Sequence, residues 1–183
     1  MRIDRIEATF DVEVKITQFP LHPDTPAEGM TLEQLFRDQS FDLEAAQARL
    51  TKMMARQGLP YGRRTHTYNS RMAQELAKWA ELQPGGGAIH DALFRAYFVD
   101  GINLARIDKL VQIAVSVGLS EDGAREGIES RSFAAGVDGD WRRASELGIT
   151  GVPTFVMNGT GVVGAQSYNV LEDLVTRAGA ELR

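Results

Sequence analysis

The chain of 183 residues contains no cysteine. It therefore forms no disulfide, offers no thiolate ligand to a metal, and performs no thiol chemistry with its own side chains. Its three histidines, His22, His66 and His90, are too far apart in the sequence to match a zinc-binding pattern. No metal site is predicted.

Long hydrophobic runs and a surplus of positive charge are also missing. No stretch of about 18 apolar residues occurs, so no transmembrane helix is predicted. The formal net charge of −5 gives no reason to expect nucleic acid or an anionic membrane as a partner. The segment 1–10 mixes charged and apolar side chains and lacks the apolar core of a secretory signal. These absences predict a soluble, cytoplasmic protein.

The N-terminal part of the chain predicts a helix, a strand and a loop. Residues Met1–Phe10 place apolar side chains at helical spacing, although no N-cap residue precedes them. Residues Asp11–Gln18 alternate apolar and polar side chains, which predicts a strand with one buried face. Three prolines within Phe19–Pro26 then favour an extended loop.

The middle of the chain, from Thr31 to about Leu147, predicts a series of amphipathic helices. Thr31 and Gln34 have the spacing of a capping box, which marks a helix start. Gly58, followed by Pro60, marks the end of a helix. More than half of the chain is therefore expected to be helical.

The C-terminal part predicts a β-hairpin followed by a helix. The sequence Gly-Val-Pro-Thr-Phe at Gly151–Phe155 spans a loop and the start of a short apolar strand, which is predicted at Thr154–Asn158. Asn158-Gly159 is a strong signal for a tight turn, and Val162-Val163 is the predicted return strand. A final helix carries Val170, Leu171, Leu174 and Val175 on its inner face. Taken alone, Pro153 is also compatible with an ordinary loop that enters a strand.

With these parts placed, the chain resembles the DsbA family of thioredoxin-fold oxidoreductases. It is most similar to the cytoplasmic, FrnE-like branch, which is related to 2-hydroxychromene-2-carboxylate isomerases and kappa-class glutathione transferases. The segments that carry the resemblance are Phe19–Pro23, Asn69–Arg71, Leu93–Phe98, Glu146–Pro153 and Val163–Gln166.

The resemblance implies an α/β, thioredoxin-like fold with a large helical insertion. Residues 1–28 would form part of the first thioredoxin half, with a helix end, a strand and a proline-rich loop. Residues 29–147 would form the helical insertion. Residues 148–183 would form the second half, with the proline loop, the hairpin and the C-terminal helix.

The chain departs from the family at its front. In the family, a strand and a Cys-Pro-x-Cys at a helix N-terminus precede a segment like Arg2–Glu7, and the helix dipole lowers the pKa of the reacting thiol. Neither feature is present, so the fold is expected to be N-terminally truncated, with Met1 an internal methionine of a longer protein. An upstream reading frame that encodes Cys-x-x-Cys would support this hypothesis, and an in-frame stop close to Met1 would contradict it.

The missing strand would lie between Val12–Gln18 and Thr154–Asn158 in the thioredoxin sheet. Its loss would leave unpaired backbone groups and uncovered apolar side chains. The two remaining strands would close the gap, a second chain would cover it, or the protein would be only marginally stable. A homodimer is the favoured outcome.

The resemblance also supplies a binding site, whose residues are Val152, Pro153, Thr154, Asn69, Gly164 and Gln166. A cis bond before Pro153 would turn the backbone of Val152 toward a peptide or the cysteinyl part of glutathione. For Asn69 an ordinary N-cap is the favoured interpretation, and for Gly164 a tight turn is an equal alternative. No catalytic residue is predicted.

The expected function is thiol–disulfide exchange on protein thiols or small thiols, with the cysteine pair absent and this chain alone inactive. No cofactor is required, although glutathione is compatible with the resemblance. The alternatives are a glutathione-dependent isomerase or transferase and a non-catalytic module that binds peptides or thiols.

Overall fold

The computed structural model describes residues 2–37 and 42–183. The helices are α1 (Arg2–Thr9), α2 (Leu32–Leu35), α3 (Leu43–Arg56), α4 (Arg71–Ala80), α5 (Ile89–Phe98), α6 (Ile107–Ser116), α7 (Glu121–Glu129), α8 (Ala134–Glu146) and α9 (Tyr168–Arg177). The strands are β1 (Met30–Thr31), β2 (His66–Thr67), β3 (Thr154–Met157) and β4 (Thr160–Val163). The chain divides into a terminal unit, residues 1–21 and 139–183, and a central unit, residues 22–138.

The terminal unit is built on α1, α9 and the β3–β4 hairpin. Ile6 and Phe10 from the start of the chain are buried against Leu171 and Val175 of α9. The helix predicted at Met1–Phe10 is confirmed over Arg2–Thr9, and Met1 itself lies outside the described residues. The last residues return to this helix, since the Asp11 N–H donates to the Glu181 carbonyl at 2.8 Å.

The predicted hairpin is confirmed. Strands β3 and β4 pair antiparallel, with Thr154 opposite Val163 and Met157 opposite Thr160. The turn residues Asn158 and Gly159 have φ values of 47° and 78°. This is the left-handed conformation that a two-residue hairpin turn requires, and it explains why Asn-Gly was the informative signal.

The strand predicted at Asp11–Gln18 is wrong. Within the described residues this segment forms no ladder, and the side chains of Val14 and Ile16 are 41% and 42% exposed. Instead of strand neighbours, two of its amides use carboxylates: the Val14 N–H donates to Glu7 at 3.4 Å and the Gln18 N–H to Asp140 at 2.9 Å. Alternation in a sequence indicates which face would be buried, but a strand also needs a partner for its backbone.

The central unit contains the larger core, formed by α4, α5, α6 and α7. Leu76, Ile89, Leu110 and Ile128 are among its fully buried side chains. The predicted helical block is confirmed between Leu32 and Glu146. The capping box is present, with the Gln34 N–H 3.1 Å from the Thr31 hydroxyl, and α3 ends at Arg56, just before Gly58 with its φ of 67°.

One helix and one sheet of the central unit differ from the sequence expectation. Helix α3 has an apolar stripe, as expected for an amphipathic helix of this block, but none of its residues is buried, and Leu50 and Met53 are each 41% exposed. Strands β1 and β2 form a two-residue antiparallel pair, with Met30 opposite Thr67. A pair this short has no detectable period, so the sequence did not predict it. No helix in the described ranges has the length and apolar character needed to cross a membrane.

Candidate functional site: the Val152–Pro153 loop

The loop that enters β3 leaves backbone hydrogen-bonding groups available to a ligand. The Val152–Pro153 peptide bond is cis, and the Val152 side chain is 50% exposed. Among the residues that the structure describes, the N–H and C=O of Val152 have no hydrogen-bond partner. One donor and one acceptor are therefore available to an extended ligand, which could add to the loop as a short β-bridge.

The backbone on both sides of Val152 is held in place. The Thr154 hydroxyl donates to the Gly151 carbonyl at 2.7 Å. The Gly164 N–H donates to the Pro153 carbonyl at 2.7 Å. Because its neighbours are fixed in this way, the free groups of Val152 are presented by a supported loop.

The turn after β4 completes this group of residues. Gly164 has a φ of 91°, which only glycine adopts readily, and the Gln166 N–H donates to its carbonyl at 2.8 Å. The Gln166 side-chain amide donates to the Val163 carbonyl. The structure thus brings Val152, Pro153, Thr154 and Gly164 together, whereas the Gln166 side chain is engaged in its own turn.

Asn69, the remaining predicted site residue, belongs to the central unit and has a structural role there. Its amide nitrogen donates to the Pro23 carbonyl at 3.1 Å and the Thr25 carbonyl at 2.8 Å. Its side-chain oxygen accepts from the Arg71 N–H at 2.9 Å at the start of α4. Asn69 therefore starts the helix and also holds the proline-rich loop.

An ion-pair cluster that sequence reasoning missed lies beside this helix start. The Glu75 carboxylate is fully buried and accepts from Arg71 Nε at 2.6 Å, from Arg131 Nε at 2.6 Å and from Arg131 Nη2 at 2.7 Å. Arg71 also contacts Asp138 at 2.7 Å. Arg131 has a φ of 55°, which is uncommon for a residue with a side chain. A glutamate among the apolar positions of α4 was the available signal, because acidic residues are rarely buried unless paired.

Burial and pairing act on Glu75 in opposite directions. Burial raises its pKa, but the hydrogen bonds from Arg131 and Arg71 outweigh burial, and the net pKa lies below the ordinary value. Burial lowers the pKa of Arg71, and its bonds to Glu75 and Asp138 more than compensate. Near pH 7 the cluster thus holds an ionised carboxylate between two cations, and its role is structural.

A second cationic group of the central unit is Arg64. Its guanidinium lies 4.6 Å from the centre of the Tyr97 ring, in cation–π geometry, and donates to the Tyr97 hydroxyl. Burial, and to a smaller extent the charge of Arg64, lowers the pKa of His22. His22 is therefore neutral near pH 7. The described part of the chain contains no group of three or more acidic or histidine side chains that could hold a metal ion.

Comparison with known proteins finds a family model and several relatives that resemble this chain. The family model for the DSBA-like thioredoxin domain matches residues 1–176. A solved structure from Streptomyces coelicolor, the probable DsbA oxidoreductase SCO1869, is 29% identical, with a TM-score of 0.86 over 97% of this chain and 81% of that chain. The cytosolic disulfide reductase DsbM of Pseudomonas aeruginosa, solved with GSH, is 23% identical and shares the fold, with a TM-score of 0.54 over 79% of this chain and 72% of that chain.

Among curated proteins, the uncharacterized protein YwbO of Bacillus subtilis (strain 168) is 29% identical over 112 residues. The match covers 61% of this chain and 56% of that protein. The chain therefore spans little more than half the length of this relative.

Proposed function

Because the chain belongs to the DSBA-like thioredoxin family, we propose that it serves thiol–disulfide exchange by holding the substrate next to the Val152–Pro153 loop. The observation that carries the proposal is the unpaired N–H and C=O of Val152 on a loop whose neighbouring backbone is fixed. An extended segment of a protein substrate, or the peptide part of a small thiol, has the complementary donor and acceptor.

The exchange reaction itself needs sulfur atoms from outside the 183 residues. A thiolate attacks one sulfur of a disulfide, a new S–S bond forms, and the other sulfur leaves as a thiolate. The chain has six methionines and no cysteine, so both the attacking and the leaving thiolate belong to other molecules or segments. The 183 residues alone are therefore a binding element, and we expect them to be inactive as a catalyst. The FrnE-like branch and the cytoplasmic location stay predictions.

A binding experiment tests the proposal. We expect an extended cysteine-containing peptide, titrated into the ¹⁵N-labelled chain, to shift the backbone resonances of Val152, Thr154 and Gly164. The Val152→Pro variant removes the amide donor and should weaken binding by about tenfold, the equivalent of one hydrogen bond. The Val152→Ala variant keeps the backbone and should bind nearly as well as the parent. Circular dichroism would verify that both variants fold.

Two outcomes would contradict the proposal. One is equal binding by the Val152→Pro and Val152→Ala variants, or shifts confined to the central unit. The other is acceleration of insulin reduction by dithiothreitol in the presence of the chain, because a chain without thiols cannot relay the exchange. Reduced glutathione in a parallel titration would show whether a small thiol or only a longer peptide is bound.

A further inference from the structure

The charges of this protein are unevenly distributed along the chain. There are 20 basic and 25 acidic side chains in total, yet residues 45–74 hold six basic side chains and no acidic one. The rest of the chain therefore carries a net charge of −11. These basic residues are Arg49, Lys52, Arg56, Arg63, Arg64 and Arg71.

Three of the basic residues lie on α3, beside its open apolar stripe. Arg49, Lys52 and Arg56 are spaced three and four residues apart, so they share one side of the helix. All three are exposed, and within the described part of the chain none forms an ion pair. We call these residues, together with the exposed Leu50 and Met53, the basic α3 face.

An amphipathic helix without a buried residue needs a partner. Helix α3 has 14 residues, a length at which an isolated helix is marginal in water. Most helical stability in proteins comes from packing of the apolar stripe, which α3 leaves open. Something outside the described chain is therefore expected to cover this face.

The central unit also offers a surface of the opposite charge. The α6–α7 groove has a volume of about 350 Å³ and is lined by Asp108, Val111, Gln112, Val115, Glu121 and Arg125. Residues 107–129 hold five acidic and two basic side chains. Val115 is 47% exposed, and the Glu121 side chain, 65% exposed, lies 3.6 Å from Arg125 of the same helix. The groove thus combines an uncovered apolar side chain with a border of two carboxylates, Asp108 and Glu121, and one guanidinium.

We propose that two copies of this chain form a symmetric dimer in which the basic α3 face of each copy covers the α6–α7 groove of the other. In such a dimer every contact occurs twice, so the two apolar surfaces are buried together and the unpaired cations meet acidic side chains. An anionic membrane is a poorer occupant, because α3 has no aromatic residue and the chain as a whole is negative.

Charge reversal on either surface tests the dimer. Sedimentation equilibrium should show a dimer for the parent chain. Lys52→Glu alone and Glu121→Lys alone should each weaken dimerisation by at least tenfold, since each homodimer then contains two repelling contacts. An equimolar mixture of the two variants should recover the parent affinity, because both contacts of the mixed dimer again join opposite charges. Raising the salt concentration should weaken the parent dimer.

Lys15→Glu is the matched control for Lys52→Glu, because it makes the same change of net charge at an exposed lysine outside both surfaces. It should leave the dimer unchanged. A monomeric parent chain, a dimer that is insensitive to both variants, or no recovery in the mixture would overturn the proposal. So would binding of the monomer to anionic phosphatidylserine vesicles through Lys52. Thermal unfolding would confirm that each variant folds.

Discussion

At the scale of single residues, the buried carboxylate of Glu75 has the largest expected effect on stability. Its two oxygens accept three hydrogen bonds from Arg71 and Arg131, and no part of its side chain is exposed. Arg131 lies 56 residues away in the sequence and Arg71 lies one helical turn away. The cluster therefore joins the start of α4 to the segment before α8.

We expect Glu75→Gln to lower the free energy of unfolding by about 3 kcal/mol, because the neutral amide leaves two cations without a buried counter-charge. Urea unfolding at pH 7 would measure this loss. The control is Glu129→Gln, an exposed carboxylate 3.8 Å from Arg125, which should change stability by less than about 0.5 kcal/mol. Equal effects of the two variants would contradict the structural role of the cluster.

The same residue makes a prediction about pH. The folded pKa of Glu75 lies below its ordinary value of 4.5, so the folded state holds the proton less tightly than the unfolded chain. Its stabilisation is fully present above pH 4.5 and is lost as the pH falls through the folded pKa. The stability difference between the parent and Glu75→Gln should therefore shrink below pH 4.5. A difference that stays constant down to pH 2 would contradict this assignment.

At the scale of elements, the β3–β4 turn needs a glycine for its backbone conformation, whereas helix α8 contains a glycine that its conformation does not need. Gly159 has a φ of 78° in the β3–β4 turn, where a side chain is strained. Gly136 lies within α8, is exposed, and has no atom within 4 Å of an added Cβ. The turn requires its glycine and the helix does not.

We expect Gly159→Ala to destabilise the protein by about 1 kcal/mol through the strained turn. Gly136→Ala should stabilise it by about 0.5–1 kcal/mol, because alanine favours the helix and loses less entropy on folding. Thermal unfolding of both variants would measure the two shifts, which should have opposite signs. A stabilising effect at Gly159 would mean that the turn does not hold the left-handed conformation.

The elements that could be predicted from the sequence are those with a local cause. Asn158-Gly159 predicted the hairpin because two residues in the left-handed conformation are enough for that turn. Thr31 and Gln34 predicted a helix start because they contact each other at a separation of three residues. The strand at Asp11–Gln18 could not be decided locally, because its formation depends on a partner elsewhere in the chain. The exposure of the α3 stripe likewise depends on what packs against the helix.

The candidate site was predicted only in part. The segment around Val152 is identifiable because a proline follows a glycine and precedes an apolar strand and its turn. Asn69 holds the proline-rich loop through Thr25, which is 44 residues away in the sequence. Glu75 pairs with Arg131, which is 56 residues away. One sequence contains no information about such distant pairs.

At the scale of the whole molecule, the two units differ in the size of their cores. The central unit buries a cluster that includes Leu76, Leu110 and Ile128, whereas the cluster of the terminal unit has four buried residues, Ile6, Phe10, Leu171 and Val175. Regions with few buried apolar contacts open more readily than the core of a domain. Stability is therefore expected to be uneven along the chain.

Native-state hydrogen exchange should reveal this difference. We expect the amides of α4 and α6 to exchange slowest and those of β3 and β4 to exchange at least tenfold faster, because the hairpin is supported by the smaller core. Mass spectrometry of peptic fragments would resolve the two regions. Equal protection in both would mean that the units unfold as one cooperative body.

The β3–β4 hairpin has one more consequence, which concerns solubility. Residues 147–171 contain no charged side chain, and Val152, Val156 and Val163 are exposed along them. Within the described chain, β3 pairs only with β4, so its other edge is a template for an incoming strand. Natural sequences usually guard such a segment with a charge or a proline. Pro153, at the entry to β3, has no N–H to offer an incoming strand, so we expect it to act as a gatekeeper that limits edge-to-edge aggregation of the hairpin.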